Sequence, residues 1–114
     1  MNIIKGFKFA FTGIKEAFKT EKNMKVHFLL AILATSSALF LNFSALEWVI
    51  LAITIGFVFA MEFINTSLEQ IVDIVSPQIQ EKAQVAKDVA AAGVLVSAVV
   101  AILVGSFLFL PKIF

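Results

Sequence analysis

The sequence predicts an all-α integral membrane protein, with three transmembrane helices preceded by an amphipathic surface helix. Three observations carry this reading. Of 114 residues, 61% are hydrophobic and the mean hydropathy is +1.00, more apolar surface than one small domain can bury. Three apolar runs are spaced along the chain: Phe28–Leu46, 19 residues without a charge, Trp48–Met61, 14 residues, and Val89–Leu110. The charges between them are unevenly placed, with six of the nine lysines in the first 25 residues. The length argues for a single domain over residues 1–114. The chain has no arginine, so base readout in nucleic acid is not expected. It has no cysteine, which excludes disulfides, thiolate metal sites and thiol nucleophiles.

The first element is read over residues 2–19. Ile4, Phe7, Phe11, Ile14 and Phe18 recur at helical steps, and Lys5, Lys8, Thr12, Lys15 and Lys19 follow one residue later. An aromatic stripe beside a lysine stripe suits a helix lying in the headgroup layer. Residues 20–27 are the polar approach to a first span over about 26–43. Its apolar run approaches the roughly 20 residues needed to cross the hydrocarbon core and lacks a small-x-small cleavage site, so it is expected to persist. Ser44 with Glu47 three residues on is a capping-box pattern, which starts the next helix near Ala45, and Trp48 is placed at headgroup depth. The second span, about 45–75, has too short a charge-free run to cross alone and must draw Glu62 and Asn65 toward the bilayer edge. Ser76-Pro77 is expected to break or restart the helix, with Ser76 as N-cap and Pro77 at the first position. The third span covers about 83–110 and is expected to end at Pro111. Its stripe of Gly93, Ser97, Ala101 and Gly105 permits close helix approach. Lysines before the first span and in the 76–88 turn place both on the cytosolic side of a cell membrane.

The candidate site is the polar face of the second span. Asn65, Glu69 and Asp73 follow Glu62 at offsets of 3, 7 and 11, so all four share one helical face. An ionised side chain inside a membrane helix costs about 2.5–3.5 kcal/mol on insertion scales. Acids held together require a proton, a lysine or a hard divalent cation. Glu21, Lys87 and Asp88 reach the same depth. His27, the single histidine, reads as a hydrogen-bonded anchor before the first span. The glycines are too scattered for a phosphate-binding loop, and no Ser-His-Asp arrangement is suggested. On these grounds an enzyme acting on a lipid headgroup, a cation transporter and a scaffold subunit all remain open.

The segments Glu62-x-x-Asn65-Thr66-x-x-Glu69-x-x-x-Asp73 and Ala86-Lys87-Asp88-x-Ala90-Ala91 resemble the prokaryotic diacylglycerol kinase and undecaprenol kinase family. So do Phe9-Ala10-Phe11-x-Gly13 and Glu21-x-Asn23-x-x-x-His27. The Glu21–His27 segment and the Glu47-Trp48 turn are more similar to the Gram-positive, undecaprenol kinase branch. Ser67-Leu68 stands where the family more often has alanine and a β-branched residue. The resemblance implies a homotrimer in the bacterial plasma membrane that transfers the ATP γ-phosphate to a lipid hydroxyl with Mg2+. It implies Glu62 as general base with Asn65 beside it, Glu21 and Glu69 as ligands of the metal that holds ATP, and Asp73, Lys87 and Asp88 along the nucleotide. Phe11 and Gly13 would join Glu62 in meeting the lipid. Undecaprenol, diacylglycerol and, in another class, a non-enzymatic cation-binding role remain alternatives. The Lys87-Asp88 pair favours a phosphate site over a cation pathway.

Overall fold

Local sequence punctuation divides the chain into four helices. In a computed structural model, which describes residues 2–78 and 80–114, these are α1 (Ile3–Thr20), α2 (Lys22–Phe40), α3 (Ala45–Val75) and α4 (Glu81–Ile113). Met1 and Ile79 lie outside the described residues. Asn2 caps α1 by accepting from the Lys5 N–H at 2.8 Å. Glu21 is the corner between α1 and α2. Its backbone is extended, its N–H bonds the Ala17 carbonyl at 2.9 Å, and its side chain makes no cap bond to α2. The first helical turn of α2 therefore begins within the polar approach, at Lys22.

The α2–α3 corner is set by Asn42, which takes φ 53°, a left-handed conformation that asparagine tolerates better than most residues. The Phe43 N–H then bonds back to the Ala38 carbonyl at 3.3 Å, and Phe43 and Ala38 bury together, the hydrogen-bond and contact pattern of a Schellman closure. Ser44 opens α3 with a complete capping box: its Oγ accepts from the Glu47 N–H at 3.2 Å, and Glu47 Oε1 accepts from the Ser44 N–H at 2.8 Å.

Two expectations about α4 are corrected. Ser76-Pro77 ends α3 but does not start the next helix, which begins at Glu81 behind Gln80. Proline disfavours helical backbone in the residue before it, and the Ser76 hydroxyl donates to the Gln78 carbonyl at 3.0 Å rather than accepting from a first helical turn. Nor does Pro111 stop α4, which continues to Ile113. The fixed φ of proline is helical and only one donor is lost. The Phe114 N–H resumes the ladder on the Leu110 carbonyl at 3.0 Å.

Packing is closest between α3 and α4, with α2 alongside α3 and α1 lying against α2 and α3. The molecule measures 52 × 37 × 20 Å, and α3, at about 1.5 Å per residue, nearly matches its long axis. Helices α2, α3 and α4 are each long and apolar enough to cross a membrane. Their outer faces expose large apolar side chains such as Phe40, Ile53, Ile102 and Phe107. The core is small and lies toward one end, where Ala38, Phe43, Leu51 and Leu108 bury together with Trp48 and Phe109 packed on them. The Phe43 ring lies 5.0 Å from that of Phe109 and 5.9 Å from that of Trp48. Along the small-residue stripe of α4, Ser97 is fully buried and a Cβ on Gly93 would meet the Met61 methyl at 2.6 Å. At Gly105 nothing lies within 4 Å of such an atom, and Ala101 and Gly105 instead line an apolar cavity of about 350 Å³ between α2, α3 and α4.

Candidate active site

The buried residues of α3 are Leu51, Thr54, Val58, Glu62 and Asn65. They recur at steps of 3 and 4, so the acidic face is the continuation of the apolar packing face. The helix has no way to turn its acids outward without turning Leu51 and Val58 outward too. Glu62 is 1% exposed. Its Oε1 bonds His27 Nε2 at 2.9 Å. Its Oε2 and the Oδ1 of Asn65 are buried with no hydrogen-bond partner among the described residues. Asn65 spends its amide nitrogen on Glu69 Oε1 at 3.3 Å, and the Thr66 hydroxyl returns to the Glu62 carbonyl at 2.9 Å.

Glu21 reaches this cluster from the α1–α2 corner. Burial pushes its carboxyl above the usual carboxylate range, and the neighbouring Glu69 and then Glu62 push it further. Because the corner residue caps no helix with its side chain, its carboxylate is free to face the other acids. Toward the end of α3, Asp73 is exposed and pairs with Lys87 of α4. Asp88, one residue on, is bonded within its own helix by Gln84 Nε2 at 2.9 Å, outside the network around Glu62. Gly13 lines a groove of about 720 Å³ between α1 and α3, with Ala17, Thr20, Phe63, Thr66 and Gln70. Phe11 is exposed and does not line that groove.

His27 is the group that sequence reasoning placed at the right depth and left without its partner. It lies roughly 24 Å before Phe43 and Glu62 roughly 28 Å after it, at about 1.5 Å per helical residue, so two helices folded back at that corner bring the pair level. That signal was readable. The rotation of α2 that points the imidazole at α3 was not. His27 is steadied by Phe59, whose ring lies edge-on with centroids 6.5 Å apart.

Chemically, the site joins a desolvated carboxylate with one free oxygen, a free amide oxygen, two further carboxylates and a lysine–aspartate pair at its watery end. Among the described residues, no three or more His, Cys, Asp or Glu side chains stand close enough to hold a metal ion by themselves. Magnesium, however, is commonly held by one or two carboxylates plus substrate phosphates. The donor set fits such an ion: all the free groups are hard oxygens, and the neighbouring acids that add to the effect of burial on Glu21 are what a cation relieves.

Comparison with known proteins bears on this arrangement. The sequence profile described as Prokaryotic diacylglycerol kinase matches residues 8–109. The diacylglycerol kinase of Synechocystis sp. is 35% identical over 113 residues, which are 98% of this chain and 65% of the relative; the chain thus spans just under two thirds of that protein. The undecaprenol kinase of Bacillus subtilis is 36% identical over 109 residues, 96% of this chain and 89% of the relative. The diacylglycerol kinase of Escherichia coli K12 is 28% identical over 101 residues, 89% and 83% of the two chains.

Proposed function

The chain belongs to the prokaryotic diacylglycerol kinase family, and from that premise we propose that it is a Mg-ATP-dependent lipid kinase that phosphorylates the hydroxyl of undecaprenol at the cytosolic membrane face. The observation that carries the reading is Glu62: a carboxylate 1% exposed, with one oxygen held and the other free. It lies where the apolar stretch of α3 gives way to polar residues. An acceptor alcohol anchored by its apolar tail reaches that depth from the bilayer, and ATP reaches Lys87 and Asp73 from water.

In this reading Glu62 Oε2 accepts the proton of the lipid hydroxyl, as a base within hydrogen-bond reach of the attacking oxygen. Asn65 presents its free Oδ1 beside it and steadies Glu69. Glu21 and Glu69 would hold Mg2+, which when bound would neutralise charge on the phosphate oxygens. Lys87 meets phosphate as a point charge, and exchanges its present partner, Asp73, to do so. Asp88 flanks the nucleotide, and Phe11 and Gly13 meet the lipid, Gly13 from the α1–α3 groove. Residues 1–114 act as one membrane-embedded kinase domain in the bacterial plasma membrane. The N-terminus is cytosolic, α1 lies as an amphipathic helix in the headgroup layer, and three subunits assemble into a homotrimer.

The name and 36% identity of the B. subtilis relative support undecaprenol. The almost equal identity of the Synechocystis relative supports diacylglycerol as the second reading. Purified protein in bilayers, supplied with radiolabelled ATP and either alcohol, decides between them: kcat/KM is expected to favour undecaprenol by at least about tenfold, a difference of roughly 1.4 kcal/mol. A preference for diacylglycerol of that size reverses the assignment.

A further inference from the structure

We infer that His27 is a positioning residue for phosphoryl transfer: it holds Glu62 by Oε1 so that Oε2 is presented to the acceptor hydroxyl. The inference rests on the reading of Glu62 as the base. As a base Glu62 only accepts hydrogen bonds, so in that reading the hydrogen in the 2.9 Å contact belongs to His27 Nε2. No other side chain drawn into the cluster bonds the Glu62 carboxylate. The Asn65 amide nitrogen goes to Glu69 Oε1 at 3.3 Å, and Glu62 Oε2 has no partner among the described residues. The Thr66 hydroxyl goes to the Glu62 backbone. His27 is therefore the one donor on the Glu62 side chain among the described residues.

Without it, both carboxylate oxygens are buried and unpaired beside two more acids, a costly state that burial alone does not relieve. With it, the carboxylate is fixed at one oxygen and open at the other. The imidazole is itself held on α2 against Phe59, so the geometry is inherited from helix packing rather than from a loop. In the transfer, the hydroxyl proton passes to Glu62 Oε2, the alcohol oxygen bonds the γ-phosphorus, the bond from that phosphorus to the β–γ bridging oxygen breaks, and ADP departs. His27 keeps its Nε2 hydrogen throughout. It donates to Oε1 before and after Oε2 is protonated, and it neither gives nor takes the transferred proton.

A single histidine makes the test direct. Full-length protein labelled with 15N-histidine and reconstituted in bilayers gives signals from His27 alone. Nε2 is expected to carry the hydrogen, and its signal is expected to move in Glu62→Gln and to stay in place in Glu47→Gln, at the opposite end of α3. In the lipid kinase assay, His27→Ala is expected to lower kcat roughly 100-fold, as loss of alignment does, while KM for ATP changes less than about twofold. His27→Gln, whose amide nitrogen can take the place of Nε2, is expected to recover about a tenth or more of the wild-type kcat. The glutamine variant and the wild-type spectrum still decide the matter if the alanine variant does not fold.

A dead Glu62→Gln beside a His27→Ala enzyme of wild-type kcat overturns the role of His27 and leaves the base reading standing, as does a folded His27→Gln enzyme that recovers less than about a tenth of the wild-type kcat. A Glu62→Gln enzyme of near-wild-type kcat overturns the base reading and this role with it. A His27 signal indifferent to Glu62→Gln overturns the pairing itself.

Discussion

Glu47 and Glu62 stand on the same helix and meet opposite conditions. Glu47, in the first turn of α3, accepts from the Ser44 N–H at 2.8 Å and from Lys112 Nζ at 3.1 Å, and Lys112 also lies over the Phe43 ring, 5.4 Å from its centroid. Around it Phe43, Trp48, Leu108 and Phe109 close the corner. Glu62 is far more buried, yet it has one partner, an open oxygen, and acids for neighbours. The first end of the molecule satisfies its polar groups and so adds stability. The second leaves acceptors buried and unpaired, a state that persists in folded proteins chiefly where function draws on it. The comparison teaches that burial by itself does not mark the site; burial with an unmet hydrogen bond does.

The largest effect expected from breaking this contrast is at its centre. Glu62→Gln keeps shape and the His27 contact but removes the proposed base, and turnover of the lipid alcohol is expected to fall by about 10² to 10⁴. The thermal midpoint in detergent is expected to hold, because the amide fills the same space and its oxygen can still accept from His27. Turnover within a few-fold of wild type would show that proton abstraction does not depend on this carboxylate.

Next in size, Glu69→Gln leaves a neutral partner for Asn65 and takes away one of the two carboxylates assigned to the cation. The magnesium concentration for half-maximal activity and KM for ATP are expected to rise at least about 10- to 100-fold. The stabilisation of the wild type by added Mg2+, which follows mass action, should shrink in the same variant. An unchanged magnesium-dependent shift of the melting curve argues that the ion is held elsewhere.

A smaller effect, and of the other kind, is expected at the satisfied end. Ser44→Ala removes half of the capping box and is expected to lower stability by about 1 kcal/mol. Glu47→Gln, which weakens a partly exposed ion pair, is expected to lower it less than Ser44→Ala does. Both should keep the wild-type kcat. A kinetic defect in either, measured on folded protein, would mean that the two ends are coupled through α3.

The smallest effect is expected at Gly93→Ala. The new methyl meets only the movable end of Met61, and the better helix propensity of alanine, about 1 kcal/mol over glycine, offsets that displacement. Stability within about 1 kcal/mol of wild type is expected by denaturation in mixed micelles. A larger loss would show that α3 and α4 pack too tightly at Met61 for that side chain to yield.

Much of this molecule was legible before any coordinates. Hydropathy and length marked the three long helices, because crossing a bilayer is a demand on local composition. The capping box at Ser44 was readable from two residues, since its bonds run within one turn. The periodicity of Glu62, Asn65, Glu69 and Asp73 put them on one face. Glu62, directly after the 14-residue charge-free run, is buried, and Asp73, the furthest of the four from that run, is exposed. Ser76-Pro77 as a helix start and Pro111 as a helix stop were misread, because helix ends depend on small differences in backbone preference.

What the sequence determined alone is thus the approximate extent of the long helices and the shared polar face of α3, properties of residues near one another in the chain. What only the tertiary structure decided is which faces meet: His27 with Glu62, Lys112 with Glu47, Lys87 with Asp73, and Asp88 with its own helix instead of the cluster. Hydropathy fixes how far along its axis a helix is buried, but leaves its rotation about that axis almost free. That rotation is chosen by packing between helices, which no single stretch of sequence contains.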